Sequence, residues 1–85
     1  MQIWKYSLLG EGGTGTFLIS KEAKIVTVAM QGGVLCFWAI VDPARKKVSR
    51  SFSVIGTGYE IPKFSEYVGT AFDGGFVWHL FEQQV

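Results

Sequence analysis

Hydrophobic and polar positions along the chain alternate with a period of two far more often than with any helical period. Val, Ile, Thr, Phe, Trp and Tyr fill the segments between turn-forming residues, and the turns recur roughly every 8–12 residues, the spacing of an antiparallel all-β chain. About seven strands are predicted, near Gln2–Leu9, Thr14–Ile19, Ala23–Met30, Val34–Asp42, Lys47–Ile55, Tyr67–Phe72 and Gly75–Glu82. No useful length of sequence places apolar residues at helical spacing. The expected fold is all-β: a single small antiparallel sandwich or barrel-like domain spanning residues 1–85.

The connections carry their own signals. Gln31-Gly32-Gly33 and Asp73-Gly74-Gly75 tolerate positive φ, so each is expected to close a tight hairpin. Asp42-Pro43 opens a wider turn, because Pro43 lacks an N–H and ends the ladder, leaving Arg45, Lys46 and Lys47 at a solvated tip. Gly56 to Glu66, with Gly58 and Pro62 inside it, is the one long connection.

Two strands differ from the rest. In Lys47–Ile55, Val48, Arg50, Phe52 and Val54 share one face and Ser49, Ser51 and Ser53 the other, so one side meets the core and one meets water. Val34–Val41 instead sets Val34, Cys36, Trp38 and Ile40 against Leu35, Phe37, Ala39 and Val41, with nothing polar on either face. The last strand sets Phe76, Trp78 and Leu80 against Val77, His79 and Phe81. Both faces of these strands need cover. The leading expectation is a homo-oligomer, a dimer or higher, packed across some of Leu35, Phe37, Val77 and Phe81 or their opposite-face neighbours. The alternative is a tight sandwich whose loops cover the second face.

Length and composition sharpen the oligomer expectation. A chain of 85 residues has room for one core and gains thin stability from it alone. The single cysteine, Cys36, excludes an intrachain disulfide, and with the single histidine, His79, it falls short of a structural zinc set, so no metal or cofactor is expected. Eight basic against seven acidic residues, net +1, create no long-range field for nucleic acid or an anionic membrane. Met1-Gln2-Ile3-Trp4-Lys5 has neither the basic start nor the apolar stretch of a targeting signal, and Val34–Val41 is the longest apolar run. A soluble, cytoplasmic protein with a reduced, packed Cys36 is expected.

Candidate chemistry is sparse. Gly10-Glu11-Gly12-Gly13-Thr14-Gly15 spells G-x-G-x-x-G, yet a strand-like Thr16-Phe17-Leu18-Ile19 follows where a dinucleotide site needs a helix, so a flexible connection is expected, with at most a backbone nest for an anion. Gly56-Thr57-Gly58-Tyr59 is the best ligand candidate: Gly56 and Gly58 allow close backbone approach, Thr57 offers a hydroxyl and Tyr59 a ring with a polar tip. The competing reading is a strand exit that needs positive φ. His79 is the sole side chain that titrates near neutrality, but no nucleophile or carboxylate stands at a telling spacing from it. It is expected to be a packed, hydrogen-bonded histidine or a ligand contact, and no catalytic residue is assigned. Arg50 shares a face with Phe52 and Val54, where a guanidinium can anchor a phosphate or carboxylate. The basic cluster around it carries no nucleic-acid signature, and nucleic acid is not an expected partner. The thirteen aromatics, Trp4, Trp38 and Trp78 included, are core and interface by default, with one or two at a cleft mouth able to stack a base.

Ile3-Trp4-Lys5-Tyr6, Cys36-Phe37-Trp38-Ala39-Ile40-Val41-Asp42-Pro43, Ile55-Gly56-Thr57-Gly58, Tyr67-Val68-Gly69-Thr70 and Val77-Trp78-His79-Leu80-Phe81-Glu82 resemble a family of small uncharacterised proteins of tailed bacteriophages and prophages. Tyr59 stands where that family commonly has a histidine after Gly-Thr-Gly, and Ser20 where a proline commonly precedes the lysine turn. The resemblance implies an accessory binding protein of the host cytoplasm, not an enzyme. One implied function is sequestration of a host nucleotide immune signal, such as a cyclic oligonucleotide, by Arg50, Gly56, Thr57, Gly58, Tyr59 and His79. The alternative is a structural accessory protein or an inhibitor that engages a host protein through exposed apolar strands.

Overall fold

Seven strands and no helix are seen in a computed structural model that describes residues 1–8 and 13–84. They are β1 (Gln2–Leu8), β2 (Thr14–Ser20), β3 (Lys24–Gln31), β4 (Val34–Val41), β5 (Lys47–Gly56), β6 (Ser65–Asp73) and β7 (Phe76–Gln83). Every strand read from the sequence is present. Leu9 and the Gly10-Glu11-Gly12 part of the glycine-rich motif lie outside the described residues, and Gly13 accepts a hydrogen bond from the Val54 amide at 3.0 Å.

The Gly-Gly turns make the hairpins. Gln31 pairs with Val34 across Gly32 and Gly33, whose φ values of 59° and 79° are the two positive angles of a type I′ turn. Asp73 pairs with Phe76 across the second Gly-Gly turn. Asp42 makes the wider turn with its own side chain: its Oδ1 accepts from the Ala44 amide at 3.0 Å while its carbonyl accepts from Arg45.

The strands form two antiparallel sheets, ordered β1-β4-β3 and β2-β5-β7-β6. The chain changes sheet after β1, β2 and β4, so the two sheets fold as one sandwich with a shared core. Leu35, Phe37, Ala39 and Val41 of β4 meet Phe52 and Val54 of β5 and Leu80 of β7. At the centre Phe37 stacks on Tyr6 at 5.1 Å and lies 4.6 Å from Phe52, with Phe17 edge-on at 5.6 Å. On one side the sandwich closes where β6 meets β3. A Cβ placed on Gly69 would stand 2.6 Å from Val28 Cγ2, so no larger residue fits without displacing β3.

The doubly apolar strands find much of their cover within the protomer, as the tight-sandwich alternative has it, though Phe76 stays exposed. Leu35 and Phe37, read as candidates for an oligomer face, are buried in the protomer's own core. On the other face of β4, Cys36 is buried beside Ser7, while Trp38 and Ile40 stay half-covered. Phe81 also faces away from the core, yet is only 8% exposed. Tyr67, paired with it on β6, packs edge-on against its ring at 5.7 Å. β5 and β6 both flank β7 antiparallel, so they run parallel to each other and the chain must travel back along β7. Thr57 touches His79 at the start of that path, and Lys63 and Phe64 accept hydrogen bonds from Gln83 at its end. Among the described residues no helix is long and apolar enough to cross a membrane.

Candidate functional site at the aromatic pole

The registers divide the sandwich into two poles. One carries the ends Gln2↔Val41, Lys24↔Ile40, Ser20↔Lys47 and Ser65↔Gln83, and the other Leu8↔Leu35, Gln31↔Val34, Gly56↔Trp78 and Asp73↔Phe76. Charge follows the same division. Lys21, Glu22, Lys24, Arg45, Lys47 and Glu82 lie at or beside the first pole, whereas Asp73 is the ionisable side chain within the second pole's described strand ends.

The charge-poor pole holds the Gly56-Thr57-Gly58-Tyr59 turn. The Tyr59 amide donates to the Gly56 carbonyl at 3.2 Å, and Gly58, at φ 94°, takes the position in this turn that a side chain would strain. The turn swings the Tyr59 ring back over Gly56: a Cβ on Gly56 would lie 3.2 Å from that ring and 3.4 Å from the Trp78 indole. Phe76 stacks on Trp78 with centroids 5.8 Å apart and planes 15° from parallel. Gly56, Thr57, Tyr59, Phe76, Val77 and Trp78 thus line a cleft of about 410 Å³ with no charged side chain in its wall. Trp78 also borders a smaller recess of about 90 Å³ into the core mouth, between Leu8, Met30, Leu35, Val54 and Asp73.

Around this pole and along the adjoining connection large apolar side chains stand exposed. Tyr59 is 78% exposed and Phe72 73%, and Ile61, Phe64, Tyr67 and Phe76 are exposed with them. Phe64 keeps a positive φ of 58° and its carbonyl accepts from the Gln84 amide at 2.6 Å, which locks the exit into β6.

His79 stands on the outer face of β7 in a chain of hydroxyls. Thr57 Oγ1 lies 2.9 Å from Nε2, Thr70 Oγ1 3.0 Å from Nδ1, and Tyr67 Oη 2.6 Å from Thr70 Oγ1. Because a hydroxyl both donates and accepts, either imidazole tautomer is satisfied. This is the packed, hydrogen-bonded histidine of the sequence reading. It ties the connection to the sheet and takes up the Thr57 hydroxyl.

Arg50 lies elsewhere. Its guanidinium makes a two-point pair with Glu82, Nε to Oε2 at 2.7 Å and Nη2 to Oε1 at 2.8 Å, and its Nη1 donates to the Ser20 and Ala23 carbonyls at 3.1 and 2.9 Å. The bonds to Glu82 raise its pKa above the ordinary value against the opposing effect of burial. A guanidinium spent on one carboxylate and two carbonyls is a clamp for the turn that carries β2 into β3. The surrounding cleft of about 350 Å³ includes Glu66 and Glu82, which offset Arg50 and Lys21. The structure therefore brings Gly56, Thr57, Gly58, Tyr59 and His79 together and leaves Arg50 at the opposite pole.

Sequence reasoning left three participants unassigned. Glu82 was legible as the one acid on the inner face of β7, on the strand beside Arg50's. Phe76 and Trp78 were read with the other aromatics as core and interface by default, with one or two at a cleft mouth left unnamed; the neighbouring Gly74-Gly75 turn, which ends the sheet at Phe76, was the signal that they sit at a rim. Among the described residues no cluster of His, Cys, Asp and Glu has the makings of a metal site.

The fold and this site define a two-sheet β-sandwich with one charged and one aromatic end. The chain belongs to the family of the domain of unknown function DUF7352, which matches it over residues 1–85. No curated protein and no solved structure matches it significantly.

Proposed function

We propose that the chain is a non-enzymatic binding protein that engages another protein through its aromatic pole. The carrying observation is the exposure of Tyr59 and Phe76 in the wall of a cleft without charged side chains, with exposed Phe72 paired beside Val77 at its edge. Exposed aromatics ringing a recess are the composition of interface hot spots. Asp73 and Glu60 flank the region, so the complementary surface is apolar with a basic rim. In the bacteriophage setting implied by the sequence resemblance, the partner is a host protein of the cytoplasm and the chain acts as its inhibitor. The test is capture from host lysate with three proteins: the parent, Phe72→Lys/Phe76→Lys, and Lys46→Glu at the charged pole. One partner retained by the parent and by Lys46→Glu but lost by the aromatic variant is the expected result. Equal capture by all three would overturn the proposal.

A second reading, capture of a base-bearing nucleotide signal, is favoured by the cleft itself. Its volume is of the order that holds a single planar ligand, and Tyr59 and Trp78 supply stacking faces. The commitment of Arg50 to Glu82 leaves the phosphates without the anchor expected for them. A thermal-shift series with cyclic nucleotides separates the readings: stabilisation abolished by Tyr59→Ala favours the nucleotide, and no response favours the protein partner.

A further inference from the structure

The sheets expose four strand edges, and three of them carry features that discourage pairing with another chain. Edge strands in soluble proteins are protected by charges, prolines, bulges or cover, because their free N–H and C=O groups otherwise recruit another strand. β1 has Lys5 at its middle. β3 has Lys24 and a bulge between Ile25 and Thr27. β6 has Glu66 and Asp73, a bulge between Tyr67 and Gly69, and the close packing of Gly69 on Val28. β2, Thr-Gly-Thr-Phe-Leu-Ile-Ser, has no charge, no proline and no bulge in its pairing with β5, and among the described residues no strand pairs with its other edge.

We infer that β2 is a self-pairing edge, and that two copies of this chain join there antiparallel about a twofold axis to make one continuous eight-stranded sheet. A strand laid antiparallel on its own copy is the isologous arrangement a closed dimer requires. Centred on Phe17, the pairing sets Thr16 beside the second copy's Leu18 and Gly15 beside the second copy's Ile19, so like faces meet like. Leu18, 64% exposed on a face otherwise made of Thr14, Thr16, Ser49 and Ser51, gains a neighbour. Each half-buried Phe17 meets its counterpart at the rim of the Tyr6, Phe37 and Phe52 cluster. No charge is desolvated on either strand. A single strand pairing buries less than the roughly 1,200–2,000 Å² of a standard stable interface, so the dimer is a reversible one that forms as concentration rises. The inference is independent of what the aromatic pole binds.

Sedimentation velocity tests it, from about 1 µM to on the order of 300 µM, the range in which a small interface associates. The parent chain is expected to move from monomer to dimer, Leu18→Lys to remain monomeric throughout, and Phe72→Lys/Phe76→Lys to dimerise like the parent. Amide exchange of the parent protein is the second measurement, and needs no variant to fold: Thr14–Ser20 amides are expected to gain protection on concentration while those of β1 do not. A parent chain monomeric across the range overturns the inference. So does a dimer that survives Leu18→Lys but not Phe72→Lys/Phe76→Lys, or protection of β2 that does not change with concentration.

Discussion

The two ends of this sandwich use similar numbers of strand ends and turns for opposite purposes. At the charged pole the best-placed cation turns inward and is consumed: Arg50 reaches Glu82 and two backbone carbonyls and holds the turn from β2 into β3, while Arg45 makes only exposed pairs with Glu22 and Asp42 at 3.6 and 3.9 Å. At the aromatic pole the side chains turn outward and are left over, with Tyr59, Phe72 and Phe76 exposed beside hairpins whose glycines need no side-chain support. The difference teaches that the residue best suited by charge to hold a ligand is the one the fold spends on itself, while rings that would ordinarily fill a core remain available.

Arg50→Met is expected to separate the poles most strongly. Losing one partner of this pair should destabilise the chain by about 2–3 kcal/mol, less than the roughly 3–5 kcal/mol of a fully buried pair because the two side chains keep 14% and 15% exposure. Urea unfolding measures it, and Arg50→Met/Glu82→Leu should recover most of the loss, since no uncompensated charge remains. A loss confined to ligand or partner binding, with stability unchanged, would break the comparison by making Arg50 a site residue.

The seam between the poles comes next. Gly69→Ala is expected to cost about 1–3 kcal/mol, because its Cβ meets the branched Val28 side chain, and Val28→Ala in the same chain should relieve it. If Gly69→Ala is neutral by itself, β3 and β6 give way without resistance and the sandwich is looser there than its geometry indicates.

A smaller effect follows pH. Burial raises the Tyr6 pKa above 10, and the Arg50 charge opposes the rise. A group with a raised folded pKa stabilises fully below its unfolded value, and that contribution is lost as pH climbs through the folded one. Stability should therefore fall above about pH 10, and Tyr6→Phe should flatten that part of the profile while keeping the stack on Phe37. Thermal unfolding between neutral and alkaline pH checks the sign.

The smallest change in stability is expected where the proposed function is strongest. Phe72→Ser removes a ring that is 73% exposed, and should alter unfolding by less than about 0.5 kcal/mol while raising solubility. A cost near 2 kcal/mol would show that Phe72 supports the fold and weaken the contrast between the poles.

Alternation, β-branched residues and glycine turns made the seven strands legible, because those signals act within a few residues of sequence and the pleat converts them directly into faces. The Gly56–Tyr59 turn was legible for the same reason: two glycines, a hydroxyl and a ring stand within four positions, and the turn geometry draws them together. The pairing of Arg50 with Glu82 spans 32 positions and became visible only once β5 and β7 lay side by side. The edge-on packing of Tyr67 on Phe81 depended on β6 lying beside β7, a pairing of strands joined in sequence only through the short Gly-Gly turn.

By itself the sequence determined an all-β chain, its strand boundaries to within two residues, its hairpins, and a candidate ligand turn. Only the tertiary structure decided which end of the molecule stayed free. Strand order is settled by contacts between segments far apart in the chain, so charge, aromatic surface and open edge acquire their positions after the sheets pair.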